Sequence, residues 1–95
     1  MKQKQIDVIL NGLVEKLAAL EHERWSHWQS YLHSKAFRQP DGSLLIPAEL
    51  VARWESQIVR KYAELDDQEK DSDREQVRKY LPLIASALAE SVDRD

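Results

Sequence analysis

The sequence predicts a small, mainly α-helical domain: three helices with a short β-hairpin between the first and the second. Apolar residues recur at intervals of three and four over long stretches, which is the spacing of one helical face. The 95 residues include only two glycines and three prolines, which leaves few breaks of the kind that separate strands. A chain of this length supports one core, so we treat residues 1–95 as a single helical domain.

The first predicted helix runs from about Gln5 to His33. Gly12 lowers helix stability by about 1 kcal/mol relative to alanine, but the apolar stripe keeps its phase on either side, so one continuous helix is expected. The tryptophans of this helix follow the stripe, as does Trp54 in the second helix, and we expect all three in the centre of the core. The stripe consists of Ile6, Leu10, Leu13, Leu17, Trp25, Trp28 and Leu32.

The pattern changes between Phe37 and Ile46, where Pro40-Asp41-Gly42 is a turn signal between apolar flanks. We therefore expect a two-stranded hairpin that turns at residues 40–43. Pro47 suits the first turn of a second helix, which should end near Arg60. Its apolar face is formed by Leu50, Val51, Trp54, Ile58 and Tyr62.

A third helix is expected to begin near Asp66, which could cap it together with Glu69, or near Ser72, which is a second candidate cap. Pro82 lies inside the stripe of this helix, so we expect a kink or a restart near residues 80–81. The stripe itself consists of Val77, Leu81, Ile84 and Leu88.

Composition and charge exclude several classes of function. The net charge of −3 and the pI of about 5.6 argue against extended nucleic-acid binding. The absence of cysteine excludes disulfides, thiolate metal sites and cysteine nucleophiles. No stretch is apolar enough for a membrane span or a secretory signal, so a cytoplasmic protein without membrane contact is expected. No catalytic or phosphate-loop motif occurs, which predicts neither an enzyme nor a cofactor.

Four charged residues fall where apolar ones are expected. Glu21 and Arg24 lie near the centre of the first stripe, and Asp73 and Arg74 lie one turn before Val77. A buried charge requires a partner, because its desolvation costs several kcal/mol. We expect Glu21 to pair with Arg74 and Arg24 with Asp73, in one structural ion-pair network between the first and third helices. The alternative is that these charges line a ligand pocket.

The segment from Arg24 to Pro40, here called the basic-aromatic segment, has three cations and no acidic residue. Its formal charge is +3, which leaves −6 for the rest of the chain. Cations interleaved with rings are typical of sites for phosphates and nucleotides, since rings stack on bases and Arg or Lys pairs with phosphate. In the alternative, the tryptophans belong to the core and the cations are solvated. The candidate ligand-binding residues are Arg24, Lys35, Arg38, Trp25, Tyr31 and His27.

A metal site is only weakly indicated. Glu23 and His27 stand four residues apart on one flank of the predicted helix, and His22 is nearby. Two ligands do not make a metal site, and no third residue has motif spacing. We therefore predict no bound metal.

Two stretches of the sequence, covering about a third of the chain, resemble the ryanodine-receptor repeat domain, a small helical module of channels and of many bacterial and phage proteins. One is Leu17 to Trp28, with Glu21-His22-Glu23-Arg24-Trp25, and the other runs from Tyr62 to Val77. The chain departs from the family in having Lys61 before the tyrosine, where a proline is usual, and a Pro-Asp-Gly turn in place of a glycine-aromatic loop. The matching positions are His22, Trp25, Tyr62, Leu65, Lys70, Asp73, Arg74 and Val77.

The resemblance implies a helical fold with a small hairpin and a noncatalytic role in binding a ligand or a protein partner. The first functional hypothesis is therefore a binding module of this kind, for a protein or for a small nucleotide-like anion on the basic-aromatic segment. The alternative is a homodimeric interaction or assembly protein of bacterial or phage origin, because long amphipathic helices in a small chain often leave apolar area uncovered.

Overall fold

The structure, a computed structural model, describes the backbone of residues 1–94 and the side chains of residues 1–91. The expected helical fold with a hairpin is confirmed, but the described part of the chain has four α-helices rather than three. They are α1 (Gln3–Asn11), α2 (Val14–Lys35), α3 (Ala48–Val59) and α4 (Asp67–Arg94). Strands β1 (Phe37–Arg38) and β2 (Leu44–Leu45) lie between α2 and α3, and a 3-10 turn covers Tyr62–Glu64.

The expected continuous helix from Gln5 to His33 is wrong, because it is interrupted at residues 12–13. Gly12 keeps a helical backbone, with φ −67° and ψ −13°, but the N–H of Leu13 donates to the carbonyl of Leu10 at 3.0 Å. This three-residue step tightens the chain by comparison with the four-residue step of an α-helix. Glycine lowers helix stability by about 1 kcal/mol relative to alanine, which favours a break at this point. Leu13, the residue after Gly12, is only 4% exposed.

The chain divides into two compact units. Unit 1 combines residues 1–24 with residues from 72 onward, and unit 2 consists of residues 25–71. Unit 1 therefore holds α1, the first half of α2 and most of α4. Unit 2 holds the second half of α2, the hairpin, α3 and the first turn of α4.

In unit 1, Leu13 is the one buried side chain among the described residues, and the other aliphatic side chains are half-buried or exposed. The half-buried positions repeat at helical spacing, and they include Ile6, Ile9, Leu17, Leu20, Ile84 and Leu88. The restart expected at Pro82 is absent, since α4 continues through this residue. Pro82 is exposed, so water can reach the carbonyl that loses its helical donor, and the helix continues on both sides.

In unit 2 the hairpin expected over residues 37–46 is confirmed. The strands are antiparallel, with Phe37 opposite Leu45 and Arg38 opposite Leu44. Directly opposite residues point to the same face, so Phe37 and Leu45 form an apolar cross-strand pair. Both side chains are nevertheless exposed, because nothing in unit 2 covers that face.

The hairpin turn follows the chemistry of its residues. The N–H of Gln39 donates to the carbonyl of Ser43 at 2.7 Å, and Gly42 takes a φ of +91°, which only glycine adopts freely. One oxygen of the Asp41 carboxylate accepts bonds from the Ser43 hydroxyl at 2.6 Å and from its N–H at 2.9 Å. These bonds, the hydroxyl first, lower the pKa of Asp41.

The starts of α3 and α4 also agree with the sequence. Pro47 immediately precedes α3. At α4 the N–H of Glu69 donates to the Asp66 carboxylate at 2.8 Å, and the N–H of Asp66 donates to the Glu69 carboxylate at 3.3 Å. This reciprocal cap gives partners to two backbone N–H groups that have no acceptor within the helix. The bond from the N–H of Glu69 is the main cause that lowers the pKa of Asp66. Ser72, the other candidate cap, lies inside the helix.

The expectation that three tryptophans form the core is wrong. Trp25 is 60% exposed and Trp28 is 42% exposed, whereas Trp54 is half-buried. On this half of α2 the less exposed positions include Ser26 and Gln29, which lie one residue, or about 100°, round the helix from the tryptophans. Periodicity indicates which residues share a face of a helix, but it does not indicate which face the rest of the chain covers.

Replacing Gly42 by alanine should weaken the hairpin, because a side chain at φ +91° is strained by about 1–2 kcal/mol. We expect the amide of Gln39, which donates across the turn, to exchange several-fold faster with solvent. Gly12→Ala is the control for the change of residue type: it lies in unit 1 at a helical φ of −67°, and its added Cβ meets the Ile9 carbonyl oxygen at 3.3 Å, so any effect should stay in unit 1 and leave Gln39 unchanged. Equal exchange at Gln39 in wild type and Gly42→Ala would contradict the described turn.

Candidate functional site

The second half of α2 carries three interacting rings and one cation, here called the aromatic ladder. The rings are those of His27, Trp28 and Tyr31, and the cation is Lys35. The rings of His27 and Trp28 meet edge to face, with centroids 5.8 Å apart, and those of Trp28 and Tyr31 do so at 5.7 Å. The ammonium of Lys35 lies 5.5 Å from the centroid of the Tyr31 ring. Trp28, Tyr31 and Lys35 follow one another at spacings of three and four residues, which places them on one side of the helix, and His27 is the neighbour of Trp28 in the sequence.

The aromatic ladder is open to solvent and free of nearby acidic residues in the sequence. Trp28 and Trp25 are exposed, Lys35 and Arg38 are exposed, and no Asp or Glu occurs from Trp25 to Pro40. Uncovered ring faces beside cations can stack on a planar ligand and pair with its anionic group. Of the six predicted ligand-binding residues, the structure links His27, Tyr31 and Lys35 through this ladder.

The other three predicted residues are distributed differently. Trp25 lies one turn before Trp28 on α2, and Arg38 lies on β1; both belong to unit 2. Arg24 belongs to unit 1, where its guanidinium donates to the Glu21 carboxylate from Nη2 at 3.0 Å and from Nε at 3.3 Å.

Glu21 and Arg24, two of the four residues of the predicted ion-pair network, bind each other in unit 1. Glu21 is bound by Arg24 along α2 and by the hydroxyl of Tyr80, which donates to it from α4. Arg24 therefore has Glu21 as its ion-pair partner, where Asp73 was expected. Asp73 is exposed and Arg74 is half-buried. Residues three apart on a helix are neighbours, which favours the local pair.

Tyr80 was missed by the sequence reasoning. It stands within the apolar region of α4, and its phenol donor could have been recognised as a partner for a carboxylate on a facing helix. The bond from Tyr80, and then the Arg24 guanidinium, lower the pKa of Glu21. The same bond to Glu21 raises the pKa of Tyr80. Both shifts favour a hydrogen bond between a phenol and an ionised carboxylate at neutral pH.

Tyr80→Phe should raise the pKa of Glu21 towards its ordinary value, because the bond from the phenol is the first cause of the lowered pKa. A lowered carboxyl pKa stabilises the fold above the unfolded pKa, and this contribution is lost as the pH falls through the folded pKa. In Tyr80→Phe, the free energy of unfolding should therefore fall less steeply as the pH is lowered through the pKa of Glu21. A carboxyl carbon NMR titration of Glu21 measures the shift, and a pKa of Glu21 that is the same in Tyr80→Phe as in wild type would contradict the bond between Tyr80 and Glu21.

Unit 1 also contains an open groove of about 750 Å³, bordered by α1, the start of α2 and the end of α4. Its apolar lining includes Val8, Ile9, Leu13 and Ala87. Its polar lining includes Lys2, Lys4, Lys16 and Glu90. Apolar walls with a mainly cationic lining suit an amphiphilic partner with negative charge.

No metal centre can be assembled from the described side chains, among which no group of three His, Asp or Glu residues is placed to hold an ion. Glu23 and His27, the pair considered from the sequence, are both exposed. Within the described residues, no helix combines the length and apolar character needed to cross a lipid bilayer.

Among the positions that resemble the ryanodine-receptor repeat domain, Tyr62 and Lys70 interact, with the ammonium 5.7 Å from the ring centroid. Leu65 is half-buried, whereas Trp25 and Val77 are exposed. Comparison with known proteins gives no match to any protein family, to any curated protein or to any solved structure.

Proposed function

We propose that this chain is a noncatalytic binding module whose partner is another polypeptide. One observation carries the proposal: among residues 1–91, Leu13 is the only side chain that the fold buries. A small domain that folds alone must hide many apolar side chains, because ordering each residue costs about 1.5 kcal/mol of conformational entropy. In the described part of this chain, the apolar side chains other than Leu13 are half-buried or exposed.

The uncovered apolar side chains occur in both units. Unit 1 exposes Val8 and Val14 beside the groove, and unit 2 exposes larger side chains at the end of α3 and on the hairpin. Exposed apolar surface of this extent is a mark of protein interaction sites in soluble proteins. The resemblance to the ryanodine-receptor repeat domain implies the same class of function, namely noncatalytic binding.

A thermal melt of the highly dilute chain, followed by circular dichroism, tests the proposal. Without a partner, we expect a weak helical signal and a broad, noncooperative loss of it, because isolated helices are marginal in water. A sharp, cooperative transition of a species proved monomeric at the same dilution would overturn the proposal, since it would mean that one chain suffices for the fold.

A second candidate function is the binding of a small nucleotide-like anion on the aromatic ladder. The exposure of Trp28 beside Tyr31 and Lys35 favours it, because stacking needs uncovered rings and these are held in place by one another. Lys35, four residues from Tyr31, would supply the positive charge.

Titration with adenosine monophosphate, followed by tryptophan fluorescence, tests this candidate. Inorganic phosphate, which has no ring, is the comparison ligand. We expect quenching by the nucleotide that falls at least several-fold in Lys35→Gln, with little quenching by phosphate. Lys79→Gln, an exposed lysine of unit 1, is the matched control. Absence of quenching, or equal quenching in both lysine variants, would exclude the site.

A further inference from the structure

We propose that the groove of unit 1 binds an amphipathic helical segment of the partner polypeptide, one that carries acidic residues beside its apolar face. This inference rests on the proposed function and names the chemistry of the partner's binding segment. The groove belongs to unit 1 alone, since α1, the start of α2 and the end of α4 are all parts of that unit.

The groove is lined by one side of α1 and one side of α4. On each helix the lining residues repeat at helical spacing, so they share one side of it. From Lys4 to Gly12 the lining follows helical backbone for about 12 Å, or about two turns, which suits a short helix laid along it. The lining residues are Lys4, Gln5, Val8 and Ile9 on α1 and Ala87, Glu90 and Ser91 on α4.

The apolar part of the lining is incompletely covered by the chain itself. Val8 is 67% exposed, Ile9 is half-buried and Leu13 is buried, and all three line the same groove. Apolar side chains of a partner that enter the groove would therefore remove aliphatic surface of this chain from water, which favours binding.

The charges of the lining determine which partner fits. Three lysines and one glutamate, Glu90, give the lining a formal charge of +2, although the whole chain carries −3. Among the side chains of residues 1–91, no carboxylate forms an ion pair with Lys2, Lys4 or Lys16. Acidic side chains on a partner would find these ammonium groups available, whereas a basic partner would be repelled.

The open side of the groove favours a helix over a free fatty acid, the other ligand that combines an apolar body with negative charge. A helix inserts only its apolar face and keeps its polar face in water, which is how helices bind in grooves. An acyl chain is apolar all round, so in an open groove part of its surface would stay in water.

Fluorescence anisotropy of a labelled model peptide, titrated with the full chain, tests the inference. The acidic peptide has leucine on one helical face, glutamate beside it and alanine elsewhere, over about 18 residues so that a helix can form. We expect saturable binding that is at least several-fold tighter than that of the same peptide with lysine in place of glutamate. Circular dichroism should show a gain of helix in the complex.

Charge reversal locates the binding site. Lys16→Glu, at an exposed lysine of the lining, should weaken binding of the acidic peptide at least several-fold. Lys79→Glu makes the same change of charge at an exposed position of α4 in unit 1, outside the described lining, and should bind like wild type. Both positions are exposed, so neither change should disturb the fold.

Each other outcome overturns the inference. Absence of binding, equal binding of the acidic and basic peptides, or equal loss in both lysine variants would exclude an acidic helix in this groove. Dodecanoate that binds more tightly than the acidic peptide would identify an acyl chain as the occupant. These results would leave the need for a polypeptide partner in place, because that need fails only if the monomer melts cooperatively.

Discussion

The rest of the structure depends on one constraint: the chain buries very little of its own apolar side-chain surface. Leu13, at the turn between α1 and α2, is almost completely removed from water, and no other described side chain is. Backbone hydrogen bonds and end caps such as Asp66 with Glu69 define where helices begin and end. They contribute too little to hold isolated helices in water, where most helical stability comes from packing of the apolar face.

This constraint joins stability and function in the same residues. The apolar side chains that line the groove of unit 1 are those that would bind a partner. Under the proposed function, folding and binding of the partner polypeptide are one equilibrium, because what binds only the folded chain stabilises it. The bond from Tyr80 to Glu21 links α2 and α4 within unit 1, but it lies at the surface and cannot replace a core.

The parts of the fold that local chemistry determines could be predicted from the sequence. The turn at Pro40 to Ser43 and the cap at Asp66 each depend on a few adjacent residues, and both are present. The break at Gly12 could not be predicted, because a cost of about 1 kcal/mol does not decide between a bent and a straight helix. The exposure of Trp28 and the bond between Tyr80 and Glu21 depend on which elements approach each other, and periodicity within one helix carries no such information.

Amide hydrogen exchange at Leu17, whose N–H donates to the carbonyl of Leu13 at 2.9 Å, tests the central claim most directly. This bond opens only when the turn around the one buried side chain opens, so its protection reports the stability of that region. We expect weak protection in a dilute sample of the isolated chain, because no partner is present there to stabilise the fold by mass action. Strong protection in a dilute sample proved monomeric would show that a single chain is stable alone, and would contradict the dependence of this fold on a second polypeptide.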